Sequence, residues 1–197
     1  MLRFTPIAAA FAVLMLGGCA TTGGQPIDVT RFHLGQPIGY GTVAVEPRMG
    51  NAVVGPEYEG YAAAVTTELG KIGFAPAGAN LPSTYIAAVA LTRTSRGTVR
   101  KPPPVTIGLG GGSYGGGVGV GGGASFGIGG GRAELVATEL AVQLRRRGDE
   151  TVIWEGKAQT EGLLGKVDNQ PGATAQRLAA ALLKGFPGES GITITVK

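Results

Sequence analysis

The chain contains one cysteine, Cys19, and one histidine, His33, among 197 residues. That scarcity excludes a Cys/His zinc cluster, a redox cysteine pair and an intrachain disulfide framework. Charged residues make up only 15% and hydrophobic ones 43%, which excludes a disordered charged tail and leaves enough apolar sequence for one packed core. Acid is scarcest in the middle. No Asp or Glu lies between Glu68 and Glu134, while Lys71, Arg93, Arg96, Arg100, Lys101 and Arg132 all fall inside that span. No spacing of carboxylates nominates a glycosidase pair. His33 stands beside Arg31 with no Ser or Asp placed by a hydrolase motif, and reads as a surface histidine. The sequence therefore nominates no catalytic residue, metal ligand or cofactor, and the expectation is a protein that is not an enzyme.

What is present begins at the N-terminus. A basic start with Arg3, the apolar run Ile7–Leu16 and the small pair Gly17-Gly18 have the form of an export signal. The run is short of the ~20 apolar residues that a bilayer span requires. It leads into Leu16-Gly17-Gly18-Cys19, which resembles the bacterial lipobox: an aliphatic residue, two small residues, then the thiol that takes a diacylglyceryl group. Ordinary cleavage after Ala20 is the alternative. The lone cysteine falls where lipidation needs one, so residues 1–18 read as signal peptide and 19–27 as lipidated Cys and tether. Two or more acyl chains hold at ~0.8 kcal/mol per buried methylene, where one would be marginal. Lipobox proteins of double-membraned bacteria pass to the outer membrane unless Asp follows the cysteine; here Ala20 follows.

Residues 28–197 read as one domain. Val29–Leu34 and Thr42–Glu46 alternate as strands, with Phe32 and Leu34 sharing one face and Val43 and Val45 another. Tyr58, Tyr61, Ala62, Val65, Leu69 and Ile72 form a helical stripe between Pro56 and Gly73. Tyr85–Arg93 returns to period two, as does Thr138–Arg146 despite its good helix formers. Arg147-Gly148-Asp149-Glu150 reads as a turn into the strand Val152–Gln159, with Trp154 facing the core. A second helix is expected over Ala173–Lys184, ended by Gly185 and Pro187, before a terminal strand at Ile192–Val196. The order implies an α+β domain: a largely antiparallel sheet, two amphipathic helices on one face and a long Gly-rich insertion between central strands.

The lipobox, the hairpin Val152-Ile153-Trp154-Glu155-Gly156 and the last helix running into Phe186-Pro187 together resemble bacterial lipoproteins of domain-of-unknown-function family 4136. The chain departs from that pattern near Thr42–Glu46, where only Tyr40 supplies an aromatic ring. The resemblance implies an envelope location and an α+β fold. It implies no activity, catalytic residue or cofactor.

The insertion, about 97–131, repeats one unit: Ile107-Gly-Leu-Gly-Gly-Gly112, Val118-Gly-Val-Gly-Gly-Gly123 and Phe126-Gly-Ile-Gly-Gly-Gly131. Ordering so much glycine is entropically costly, so a mobile loop or long, weak hairpin is the plain reading, and a surface that orders against a partner, a membrane or its own copies the other. A formal dinucleotide fingerprint inside it lacks the following helix and is rejected. If Tyr85–Arg96 pairs antiparallel with Arg132–Arg146, then Arg93, Arg96, Arg100, Lys101 and Arg132 gather at the base of the insert as candidates for contact with anions. The expectation is a lipid-anchored envelope protein on the periplasmic side of the outer membrane, a non-enzymatic accessory or scaffold. Its partners would be the membrane, through acylated Cys19, and other envelope proteins. The alternative is a binding module for anionic lipid or envelope polymer. Nucleic acid is not an expected partner.

Overall fold

The computed structural model describes residues 24–48, 55–78, 81–101, 105–109, 124–128 and 130–197. Cys19, the signal segment and the middle repeat of the insertion lie outside them. The strands are β1 (Ile27–His33), β2 (Thr42–Pro47), β3 (Ala75–Ala77), β4 (Tyr85–Lys101), β5 (Val105–Leu109), β6 (Ala124–Ile128), β7 (Gly131–Arg146), β8 (Val152–Leu163) and β9 (Thr193–Val196). The helices are α1 (Pro56–Lys71) and α2 (Pro171–Leu183). Seven strands form one sheet in the order β3-β2-β4-β7-β8-β1-β9, and β5 pairs with β6 as a separate ribbon. Pairing is antiparallel except at one edge, where β2 runs parallel to both β3 and β4. The α+β class stands, as a mixed sheet.

The sequence explains these elements locally. α1 opens with Pro56 at a position that needs no amide donor, carries Glu57 and Glu59 at its positive end and Lys71 at its negative end. Its face of Tyr58, Tyr61, Ala62, Val65 and Leu69 is buried. α2 begins at Pro171, two residues ahead of expectation, and buries Ala175, Leu178, Ala179, Leu182 and Leu183. Both helices cover the face of the sheet built from Val29, Val43, Ala87, Val89, Leu140, Val142, Leu144, Trp154 and Ala158. Trp154 lies in this core as expected, its indole donating to the Pro187 carbonyl at 2.9 Å and its ring 5.2 Å from Phe186.

Two expectations are corrected. In β1 the buried face is Ile27, Val29 and Arg31, while Phe32 and Leu34 are 52% and 61% exposed. The reason is Arg31, only 5% exposed, whose guanidinium donates to the carbonyls of Leu182 (2.9 Å), Ala181 (3.0 Å) and Lys184 (3.0 Å) at the end of α2. A helix C-terminus is an array of unsatisfied carbonyls with partial negative charge, so it accepts a buried cation that no carboxylate neutralises. Burial pulls the Arg31 pKa below its ordinary value, yet arginine stays charged. Gly188 folds over it with φ +79°, and a Cβ there would come within 2.7 Å of Arg31 Cδ and Nη1. The second correction is the insertion's edge: β4 runs on through Lys101 and β7 starts at Gly131, so residues 97–101 continue the ladder.

The α1 tyrosines carry a polar anomaly. The Tyr58 and Tyr61 hydroxyls are buried with no hydrogen-bond partner among the described residues, and burial pushes both phenols up to about 12. A pKa raised on folding leaves stability intact below the unfolded value near 10 and removes it as pH climbs from there toward 12.

Two outcomes follow. Arg31→Met leaves three carbonyls without donors and should cost about 3 kcal/mol, read as a lower urea midpoint at unchanged slope. Tyr61→Phe and Tyr58→Phe remove hydroxyls that have no partner among the described residues; each should raise stability by about 1 kcal/mol at pH 7 and flatten the alkaline loss in a pH series of denaturant melts.

Candidate functional site

The five basic candidates sit along the β4–β7 ladder, whose antiparallel pairing is as expected: Tyr85 opposes Arg146, Arg93 opposes Thr138 and Arg100 opposes Arg132. They do not gather at one base. A bulge between Ser95 and Gly97 resets the register partway along, and two of the five are held by acids brought from elsewhere. Arg93 Nη1 donates to Glu57 Oε1 of α1 at 2.9 Å, and Arg96 Nε pairs with Glu161 Oε1 of β8 at 3.3 Å. Both pairs are solvent-accessible and contribute little to stability. Arg100, Lys101 and Arg132 lie together beyond them, exposed, and make no ion pair among the described residues. The site contracts to these three cations at the far end of the ladder.

The core site that hydrolases need is not assembled around His33. Its Nε2 bonds the Gly188 carbonyl at 3.1 Å and its Nδ1 accepts from the Gly35 amide at 3.1 Å, which assigns the proton to Nε2. Ser190 Oγ meets the His33 backbone amide at 3.1 Å rather than the ring. The imidazole thus ties the loop after α2 to β1. Among the described residues, no three His, Cys, Asp or Glu side chains converge as metal ligands would. Arg147-Gly148-Asp149 forms the expected turn: Asp149 Oδ1 accepts from the Thr151 amide at 3.1 Å, and that bond draws its carboxyl below the ordinary range.

A polar network escaped the sequence reading. On the sheet face away from the helices, Arg145 Nη2 donates to Gln143 Oε1 (2.7 Å), and Gln143 Nε2 donates to Glu155 Oε2 (3.1 Å). Arg48 approaches Glu155 at 3.9 Å. Arg147 bonds Glu46 and reaches Ser83 Oγ at 2.9 Å. The run Arg145-Arg146-Arg147 was the available signal. Arg146 pairs locally with Asp149 at 3.6 Å, but Glu46 and Glu155 come from β2 and β8 and no local spacing reveals them. The network couples cations to acids and holds no nucleophile beside a base.

At the other end of the molecule, Arg177 of α2 bonds the carbonyl of Gln25, and a Cβ on Gly24 would lie 3.1 Å from its Nη2. The chain therefore enters the domain beside the first turns of α2. No helix among the described residues is long and apolar enough to cross a membrane.

No family model matches the sequence. Among solved structures, a PelC dodecamer from Paraburkholderia phytofirmans is similar at 13% identity and TM-score 0.46, covering 80% of this chain and 94% of that one. A PDZ domain protein from Parabacteroides distasonis is similar at 9% identity and TM-score 0.46, covering 87% of this chain and 39% of that one. The uncharacterized protein ZMO1243 of Zymomonas mobilis is 34% identical over 217 aligned positions, which cover 88% of this chain and 81% of that protein. At that identity and coverage, the chain belongs to the family of ZMO1243.

Proposed function

We propose that this chain is a lipid-anchored envelope protein. Acylated Cys19 holds it to the outer membrane on the periplasmic side, where it acts through contacts as a non-enzymatic scaffold akin to the lipoproteins of family 4136. The observation that carries the reading is Leu16-Gly17-Gly18-Cys19 behind a basic start and an apolar run. The Arg177–Gln25 contact supports it: between Cys19 and Gln25 the chain can reach at most about 20 Å, so an anchor at Cys19 keeps the first turns of α2 close to the leaflet.

A second reading is favoured by one feature, the direct opposition of Arg100 and Arg132 with Lys101 alongside. Like charges facing each other across a ladder repel, and an anion held between them relieves that repulsion. The chain would then capture anionic lipid or envelope polymer at the end of the ladder.

Wild-type protein extracted from membranes should give an N-terminal peptide bearing diacylglyceryl on Cys19, and Cys19→Ser should move the protein to the soluble periplasmic fraction. An unmodified thiol, or an N-terminus that starts after Cys19, overturns the anchor. Cross-linking in cells followed by identification should return a reproducible protein neighbour; glycan or lipid adducts alone would favour the second reading. For that reading, the Cys19→Ser chain should co-sediment with anionic vesicles and not neutral ones. A surface cation contributes ~1 kcal/mol, so the triple change Arg100→Ala, Lys101→Ala, Arg132→Ala should weaken that binding about a hundredfold. Equal sedimentation with both vesicles removes the idea.

A further inference from the structure

The β4–β7 ladder changes character along its length. Past Val89, β4 has no strand beside it on the β2 side among the described residues. Such an edge presents unpaired amides and carbonyls to any passing strand, and proteins guard it with charge, proline or bulges. This edge is guarded: Arg93, Arg96, Arg100 and Lys101 lie along it, and the Ser95/Gly97 bulge interrupts it.

Beyond Lys101 and the run Pro102-Pro103-Pro104 the sequence carries no further guards before Arg132. Among the described residues β5 and β6 pair only with each other, Val105 against Ile128 and Leu109 against Ala124, and no described strand lies on either outer edge. Neither strand contains a charge or a proline, and the whole stretch 102–131 has no charged residue. The register sorts the residue types cleanly. Positions 105, 107 and 109 with 124, 126 and 128 are Val, Ile, Leu, Ala, Phe and Ile, while 106 and 108 with 125 and 127 are Thr, Gly, Ser and Gly. Ile107 is 47% exposed. A two-stranded ribbon of this kind is marginal in water by itself, and an open-edged ribbon cannot enter hydrocarbon, where no water satisfies its outer amides. What satisfies both edges is another strand of matching charge-free composition.

We propose that the β5–β6 ribbon is a self-association element, which joins edge to edge with the same ribbon of a second copy of this chain. Antiparallel pairing of like edges is self-complementary about a twofold axis, so the same residues serve both partners. The edge left over on each ribbon admits further copies. The proposal stands apart from the anchor, because nothing in it involves Cys19.

The test uses the full secreted chain with Cys19→Ser, so a failure of the anchoring reading cannot affect it. Sedimentation velocity at tens of micromolar should give a mass of two or more copies. Placing guards on the ribbon with Thr106→Lys and Ser125→Lys should return a single copy with an unchanged circular dichroism spectrum. Thr98→Lys, on the edge already guarded, should leave the assembly intact. In the Cys19→Ser chain without the guards, amide exchange over 105–109 and 124–128 should slow severalfold as concentration rises, a readout independent of whether the variants fold. A single-copy mass, or an assembly indifferent to the two lysines, overturns the proposal. So does protection that arises only on adding anionic vesicles, which would put a lipid surface in place of the second copy.

Discussion

The contact on which this architecture depends most is the Arg31 guanidinium against the last carbonyls of α2. It solves two problems together. The helix ends in carbonyls with no intrahelical donor, and β1 lies one strand in from the sheet's edge, between β8 and β9. A single side chain fixes the end of the helix to the strand. The loop that follows is then tied to the same place: the Gly191 amide donates to the Arg31 carbonyl at 2.8 Å, and the Trp154 indole holds Pro187. Gly156, opposite Arg31 in the register, completes the seat, since a Cβ there would approach the Trp154 ring at 2.5 Å and Leu182 at 2.8 Å. Helix, indole and guanidinium can share this volume because one strand position has no side chain.

That contact also marks where sequence reasoning failed. Period-two alternation identified β4, β7 and β8, and the helical stripe identified α1, because in those segments polarity and burial agree. In β1 they disagree. Phe32 and Leu34 look like the buried face, but the position that points into the protein at that end is Arg31. The general preference for charge outside is overridden by carbonyls supplied from a helix some 150 residues later in the chain, and no local window contains both. β3 was invisible for a different reason. Ala75-Pro76-Ala77 is a short edge strand with neither alternation nor branched residues.

The basic residues show the same limit in electrostatic form. A linear sequence counts cations, and five near an insertion look like one patch. Folding assigns acids to two of them, Glu57 from α1 to Arg93 and Glu161 from β8 to Arg96. The patch is thereby reduced to Arg100, Lys101 and Arg132. The charge that counts for recognition is what remains after tertiary pairing, and here it remains only where the ladder has outrun both the helices and the neighbouring strands.

The body of the sheet and the extended ladder follow different physical rules. Around β1 and α2, order is over-determined at both ends of the strand: Arg177 holds Gln25 at one, and His33 uses both ring nitrogens and Arg31 closes α2 at the other. Along the ladder that support is withdrawn in steps: β2 ends opposite Val89, the α1 contact at Arg93 through Glu57, and the last paired acid, Glu161, at Arg96. Past Lys101 the described residues form only a ribbon of two strands, composed of glycine, small residues and apolar ones, among them the exposed Ile107. Glycine lowers the chain's own ability to hold that shape, and the lack of charge removes the usual obstacle to a neighbouring strand. A segment selected only for solubility would carry the opposite composition. The guarded stretch next to it has that composition, on the same β4 strand that leads into the ribbon. Under the proposed pairing, the contrast between the two stretches is a division of labour: a β4 edge guarded by charge and a bulge, and a ribbon whose charge-free strands are left for a second copy.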